Sequence, residues 1–385
     1  MQPPNGPPDA DPRPAIAIYR SPLFNASETF VRAHAMALTR YRPLLAGIDD
    51  KGNIPTELRG SLFVPRGPVA RTLARAGGPG RLAECLQSHE PRLVHAHFGP
   101  DALAALPLAR RLGIPLIATL HGYDVTRGDG RLLLSGRLSW MRYALGRHKL
   151  IRRCDLFLTV SDALRRTALA RGFPAESTRT HYLGVDLARF AAGGERERGL
   201  ILHVGRLVEK KGTAVLLAAL ERVPDARLVV IGDGPERAAL QRRAAGFGER
   251  VRFLGALPEG DVAAWMRRAW LLAAPSVTAG DGDAEGLPTV IVEAAAAGLP
   301  TVATRHSGIP EAIEHERTGF LVAERDAGAL AASLAALLAS ADLRERMGAA
   351  ARRMAKEKFD LRLQSERLET IYDELLGQMR SCRSR

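Results

Sequence analysis

The chain reads as an α/β protein built on two doubly wound parallel sheets, and three observations predict this. Short apolar runs alternate with amphipathic stretches through both halves of the sequence. Aromatic residues make up only 5% while hydrophobic residues reach 46%, with Ala and Gly abundant, which suits helices over a tight parallel sheet better than an all-β fold. A length of 385 residues fits two domains or one large one, and a break at Ala191-Ala192-Gly193-Gly194, followed by the charged run Glu195–Arg198, divides the alternation into two series.

Residues 1–14 hold six prolines and are expected to be a disordered leader, without the basic-then-apolar pattern of a signal peptide. The first series, residues 15–192, offers strands at Ala15–Tyr19, Ser61–Val64, Leu93–Ala96, Leu116–Leu120, Leu156–Val160 and Arg179–Leu183. Its helical patterns fall at Thr29–Thr39, Asp101–Arg111, Arg131–Arg153 and Asp162–Arg171. The second series, residues 193–358, has strands at Leu200–Val204, Arg227–Ile231, Val251–Leu254, Leu271–Ala274, Thr301–Ala303 and Phe320–Val322. Long helices follow Ala327, and within 359–385 the stretch Leu361–Met379 is expected to pack back on the first domain. Parallel sheets of this type bind ligands beyond the carboxyl ends of their strands, so a cleft between two such domains is the expected active site.

Net charge is +13, and its distribution says more than its sum. Residues 1–192 carry 27 Lys+Arg against 15 Asp+Glu; residues 193–385 carry 28 against 27. A basic front half suits a negative partner, although scattered solvated arginines give the same count. Only six of the 55 basic residues are Lys, a bias that genomic base composition produces, so nucleic acid is not expected as a ligand. Cys85, Cys154 and Cys382 lie far apart without a Cys-x-x-Cys, which points to neither a disulfide framework nor a zinc site and fits a reducing cytoplasm. No uninterrupted apolar segment reaches roughly 18 residues, so a cytoplasmic chain, at most peripheral on a membrane, is expected.

Two motifs of the second half carry chemistry. After Leu200–Val204 comes Gly205-Arg206-Leu207-Val208-Glu209-Lys210-Lys211-Gly212. Gly205 lets the backbone turn tightly, and Arg206 and Lys211 place a planar fork and a point charge on one short loop. Such a pair suits a diphosphate that gains negative charge as its far bond breaks; a basic surface loop is the plainer alternative. The second motif runs from Gly280 to Glu293, with Glu285-Gly286-Leu287-Pro288-Thr289-Val290 at its centre. Pro288 fits the first turn of a helix, which leaves Glu285 in the loop and Glu293 just over one turn inside. Free N–H groups around Leu287–Val290 form an anion site, and carboxylates beside it make sense as acceptors for sugar hydroxyls. Ile231-Gly232-Asp233-Gly234 fails as a dinucleotide fingerprint, because Arg237 takes the third-glycine position and Gly255 ends the next strand where an acid belongs.

Together these residues resemble the retaining glycosyltransferases of the two-Rossmann-domain GT-B fold, in the group called family four. The signature Glu-x7-Glu is matched by Glu285 and Glu293, and the phosphate-binding cations by Arg206 and Lys211. The likeness covers nearly the whole chain after residue 14 and extends to His306-Ser307-Gly308-Ile309-Pro310-Glu311. In the front half, His95-Ala96-His97-Phe98-Gly99-Pro100, His121-Gly122-Tyr123-Asp124 and Ser27-Glu28-Thr29-Phe30 are similar to members that build bacterial exopolysaccharide, colanic-acid-type enzymes among them. Asn25-Ala26-Ser27-Glu28 departs from the Gly-Gly loop that many members carry at this place.

The resemblance implies a retaining hexosyltransferase acting on a UDP-, GDP- or ADP-sugar, with a lipid-linked or polysaccharide acceptor, and with no cofactor and no metal. Glu293 would bind the ribose, Leu257 would lie near the base, and Gly205, Gly286, Leu287, Pro288, Thr289 and Val290 would complete the donor site. Arg206, Lys211, Glu285 and His121 would be catalytic, with His121 against the transferred sugar and His97 and Asp124 on the acceptor side. Asp281-Gly282-Asp283 has the spacing of a metal motif and is read as a loop. The basic, apolar-interleaved stretch Arg131–Arg153 fits an anionic membrane surface, and equally an amphipathic helix covering the sheet. A GT-B sugar-nucleotide epimerase, or a non-enzymatic carbohydrate-binding protein, are the alternatives.

Overall fold

The computed structural model describes residues 11–23, 28–52, 54–65, 67, 71–72 and 80–383, so most of the expected leader and Asn25–Ser27 lie outside the described residues. The chain folds into two compact units. One comprises the residues up to Val160 with Leu164–Gly184 and those from Leu361 onward; the other comprises Ser161–Ala163 and Val185–Asp360.

In the first unit β1 (Ala15–Tyr19), β2 (Arg42–Ala46), β3 (Leu62–Phe63), β4 (Val94–His97), β5 (Leu116–Leu120), β6 (Leu156–Thr159) and β7 (Thr178–Thr180) form one sheet in the order β3-β2-β1-β4-β5-β6-β7. All pairs are parallel. Every residue of β1, β4, β5 and β6 is buried, as a parallel sheet covered on both faces requires. The connections hold α1 (Thr29–Ala37), α2 (Gly80–Gln87), α3 (Gly99–Leu112), α4 (Tyr123–Thr126), α5 (Asp129–Leu133) and α6 (Leu138–Arg153), with α7 (Asp162–Ala170) after β6. Strand β2 was not expected from the sequence: Pro43 lacks the N–H of a strand residue and interrupts a run only five residues long. The single helix expected over Arg131–Arg153 is a correction too. It breaks between Leu133 and Leu138, where Gly136 adopts φ +68°.

In the second unit β8 (Leu200–Val204), β9 (Arg227–Ile231), β10 (Val251–Gly255), β11 (Leu271–Ala274), β12 (Thr301–Thr304) and β13 (Gly319–Val322) take the order β10-β9-β8-β11-β12-β13, again all parallel. Helices α8 (Thr213–Leu220), α9 (Arg237–Ala244), α10 (Glu259–Arg268), α11 (Thr289–Ala296), α12 (Ala327–Ala339) and α13 (Ala341–Lys358) connect and cover these strands. In both units the strand order reverses beside the first strand, so each sheet has a switch point at its carboxyl edge. Among the described residues no single helix is long and apolar enough to cross a membrane.

The last helix, α14 (Leu361–Arg383), belongs to the first unit. Leu368, Tyr372 and Leu375 join the same buried cluster as Ile16, Ile18, Ile117 and Leu158. Glu369 is wholly buried, and its carboxylate accepts from the backbone N–H groups of Thr39, Arg40 and Tyr41 at 2.8, 2.7 and 3.3 Å. Removing it strands those donors, and one buried donor left without a partner costs about 1–3 kcal/mol. Glu369→Ala therefore lowers stability by about 3 kcal/mol, seen as a drop in the thermal midpoint, while Glu374→Ala on the exposed face changes it little.

Candidate active site

Because the strands are parallel, the loops after β8, β11 and β12 meet at one edge of the second sheet. Gly205 follows β8, and a side chain there would press on the Lys211 stem at 3.1 Å. Gly212 takes φ +65°, and a Cβ on it would sit 1.8 Å from the Pro275 carbonyl, so the loop closes tightly over the end of β11. These constraints aim Lys211 at Glu285: Nζ lies 2.9 Å from Oε1. The contact is an ion pair, and Oε1 is buried. Burial alone would raise the Glu285 pKa, yet Lys210, Lys211 and His306 bring it down to about 2. Arg206 lies exposed on the same loop and pairs with no acid among the described residues.

Glu285 is held from behind. Its N–H donates to His306 Nε2 at 3.0 Å, and His306 Nδ1 donates to Glu324 Oε1 at 2.6 Å. Glu324 in turn accepts from the Thr278 N–H at 2.8 Å. The carbonyl of Gly286 accepts from the Gly308 N–H at 3.1 Å, and a side chain at 308 would collide with that oxygen. Asp283 pairs with Lys210 at 3.2 Å and its N–H donates to Asp281, so an ammonium already faces the Asp281-Gly282-Asp283 turn.

Helix α11 opens at Thr289 after Pro288, with no side chain capping its first turn; Gly286, Leu287 and Val290 flank this start. Glu293, one turn further, is buried and bonded by the Thr289 hydroxyl. Burial first, and Glu259 second, push its pKa up to about 7. Lys211 acts on both acids, which have opposite protonation tendencies. Leu257 is half-buried in the loop after β10.

The first unit carries its own cluster. His121 follows β5, its ring 4.6 Å from Phe30 and 4.4 Å from Phe98 between centroids. His97 Nδ1 lies 3.1 Å from His121 Nε2. Asp124, expected on the acceptor side, is fully buried instead. Its oxygens accept from the N–H groups of Gly99, His121 and Gly122 at 3.0, 3.1 and 2.9 Å, so it shapes the turn that carries His121. Arg20 at the end of β1 stacks on Phe98 at 4.4 Å and holds Glu28 through both oxygens at 2.8 and 2.7 Å, with Asp101 beside it.

A family model described as glycosyl transferases group 1 matches residues 186–354, and one described as Glycosyltransferase Family 4 matches residues 33–189. The GDP-mannose-dependent alpha-(1-6)-phosphatidylinositol monomannoside mannosyltransferase of Mycolicibacterium smegmatis is 32% identical over 378 residues, covering 92% of this chain and 93% of that one. The chain belongs to the glycosyl transferases group 1 family. A putative colanic acid biosynthesis glycosyltransferase of Salmonella typhimurium, WcaL, is 35% identical over 268 residues, which span 66% of this chain but only 64% of that relative. The crystal structure of Anabaena HepE with UDP and glucose aligns with a TM-score of 0.76 over 94% of this chain and 99% of that one, at 22% identity. That likeness carries the GT-B fold.

Within this group 1 chain, sequence reasoning named Lys211, Glu285, Glu293 and His121 but missed Arg20, Asp101, His34 and Tyr372. Arg20 carried one available signal: it follows the carboxyl end of β1, where polar residues gather in this fold, whereas Asp101 lies in the first turn of α3. His306 lay inside a quoted motif without a role, which the Glu324–His306–Glu285 chain now supplies.

Glu293 also makes stability depend on pH. Its folded pKa of about 7 exceeds the ordinary 4.5, so the folded chain keeps a proton that the unfolded chain releases. Stability therefore falls as pH rises from 4.5 to 7 and levels off above. Glu293→Gln has no such proton to lose, so its gain over wild type grows to about 3 kcal/mol at pH 8 and shrinks toward zero near pH 4.5. Thermal midpoints across that range measure it.

Proposed function

We propose that the chain is a retaining glycosyltransferase that moves a hexose from a nucleoside-diphosphate sugar to a lipid-linked or polysaccharide acceptor in the building of a cell-surface polysaccharide. One observation carries the reading: a buried Glu285 is paired with Lys211 near an uncapped helix start. An ammonium has three N–H donors, so the contact with Glu285 leaves two for a phosphate. Arg206 and the first amides of α11 supply further positive field, which acts most strongly as the diphosphate leaves. Glu285 accepts from hydroxyls of the donor sugar, Glu293 from the ribose, and His121 polarises a hydroxyl of the transferred sugar.

The bond from the anomeric carbon to the diphosphate oxygen breaks, and the acceptor oxygen bonds to the same face of that carbon. The acceptor proton passes to the departing phosphate oxygen. Glu285 positions the sugar and forms no covalent intermediate. Names of relatives support the acceptor class: one is a colanic acid glycosyltransferase and another acts on a phosphatidylinositol mannoside.

The first unit offers a membrane face. Leu134, Leu138 and Leu145 are 85%, 61% and 67% exposed, with Leu133 and Met141 beside them. Arg131, Arg137, Lys149, Arg152 and Arg153 are exposed in the same stretch of chain. Apolar side chains interleaved with cations suit the anionic inner face of a plasma membrane, where lipid-linked acceptors lie.

Four measurements test this. Nucleotide release across UDP-, GDP- and ADP-sugars, with and without lipid extract, yields a glycosylated lipid; nucleotide release or epimerised sugar that ignores acceptor rejects the reading in favour of the epimerase. Glu285→Gln stays folded with kcat down about a hundredfold or more, as loss of an oriented charge at the reacting centre predicts. Donor KM rises about tenfold from pH 8 to pH 6 as Glu293 takes up its proton, and Glu293→Gln flattens that profile. On the membrane side, anionic vesicles sediment the protein at low salt, and the double variant Leu134→Ser, Leu145→Ser weakens this about tenfold.

A further inference from the structure

We propose that Thr119, His95, Tyr372, His34, His97 and His121 form one hydrogen-bonded wire that locks four imidazoles into a common tautomer and makes Tyr372 the positioning residue for His121. The wire is continuous. Thr119 Oγ1 lies 2.7 Å from His95 Nε2, and His95 Nδ1 lies 2.6 Å from the Tyr372 hydroxyl. That hydroxyl lies 2.9 Å from His34 Nε2. His34 Nδ1 is 3.1 Å from His97 Nε2, and His97 Nδ1 is 3.1 Å from His121 Nε2. All six side chains belong to the first unit.

Proton accounting does the rest. A neutral imidazole holds one N–H, and a contact between two ring nitrogens needs one proton and only one. If His34 carries its proton on Nδ1, His97 must accept at Nε2 and donate from Nδ1, and His121 must accept at Nε2. The Tyr372 hydroxyl then donates to His34 Nε2 and accepts from His95 Nδ1, so all four rings are Nδ1–H. Reversing the hydroxyl reverses every ring to Nε2–H. The two states differ at the far end: His121 Nδ1 is a donor in the first and an acceptor in the second. Burial keeps the rings neutral, lowering His34 and His121 to about 3 and His95 and His97 well below their ordinary value. Arg20 adds repulsion at His97 and His121, and His181 at His34 and His95.

His34, His95 and His97 also bring one nitrogen each within 4.8 Å, a spacing that fits a metal ion. Each of their six ring nitrogens already has a partner within 3.1 Å, however, and a metal would have to break that set.

The test is a long-range proton–nitrogen correlation spectrum of the full chain labelled with nitrogen-15 histidine. The expected result is four neutral rings with a single shared tautomer and no stoichiometric metal in the purified protein. Tyr372→Phe keeps the ring but removes the relay, so the tautomer balance of His121 shifts and no longer matches that of His95, and kcat falls about tenfold at unchanged donor KM, as loss of orientation predicts. Tyr41, which packs edge-on against Tyr372 at 5.6 Å, provides the packing control: Tyr41→Phe leaves the His121 signals in place. Different tautomers among the wild-type rings, an unmoved His121 in Tyr372→Phe, or a bound metal would overturn the wire. The kinetic arm rests on His121 serving the transfer, whereas the wild-type spectrum judges the wire without any assay of transfer or any variant that must fold.

Discussion

Two lysines let one carboxylate stay charged under cover at the mouth of the second sheet. Lys211 lies against Glu285 and also acts on Glu293, and it reaches both because Gly205 and Gly212 bend its loop back over the strand ends. The two acids respond in opposite senses. Glu285 has Lys210, Lys211 and His306 around it and stays charged, while Glu293 has Glu259 as its second influence and takes up a proton near neutrality. The second unit thus holds a fixed negative charge and a titratable one, the kind of division of labour found where paired acids serve different roles.

The first unit solves the opposite problem. Its sheet edge gathers histidines in a buried, arginine-flanked setting where none gains from carrying charge. Neutral rings can hydrogen-bond one another in series, and aromatic neighbours on either side of His121 fix the plane of the last one. Asp124 stabilises the backbone turn that carries His121.

Much of this was legible beforehand because parallel strands write continuous apolar runs. Leu200–Val204, Arg227–Ile231 and Leu271–Ala274 stand in the structure as the sequence pattern placed them. Strand β2 escaped because Pro43 erases the local signal that its two neighbours restore through pairing. The break at Gly136 escaped because helical periodicity persists on both sides of it. Among site residues, those on one loop or one helix start could be found by spacing. Tyr372 and His34 meet across more than 300 residues of chain, and no local pattern encodes such a meeting. Asp124 shows a related limit: an acid next to a histidine looks chemical in sequence, and the three N–H groups it holds in the turn come into view only in the fold.

The placement of α14 bears on how the polypeptide acquires its shape during synthesis. Leu368, Tyr372 and Leu375 complete a core whose strands leave the ribosome much earlier, whereas residues 185–360 have all their partners once Asp360 emerges. The middle of the chain is therefore free to close first, and the opening half must wait, with part of its apolar surface unclothed, until the final helix arrives. Completion of the histidine cluster waits on Tyr372, so a chain cut short before that residue carries a finished second unit and an open first one.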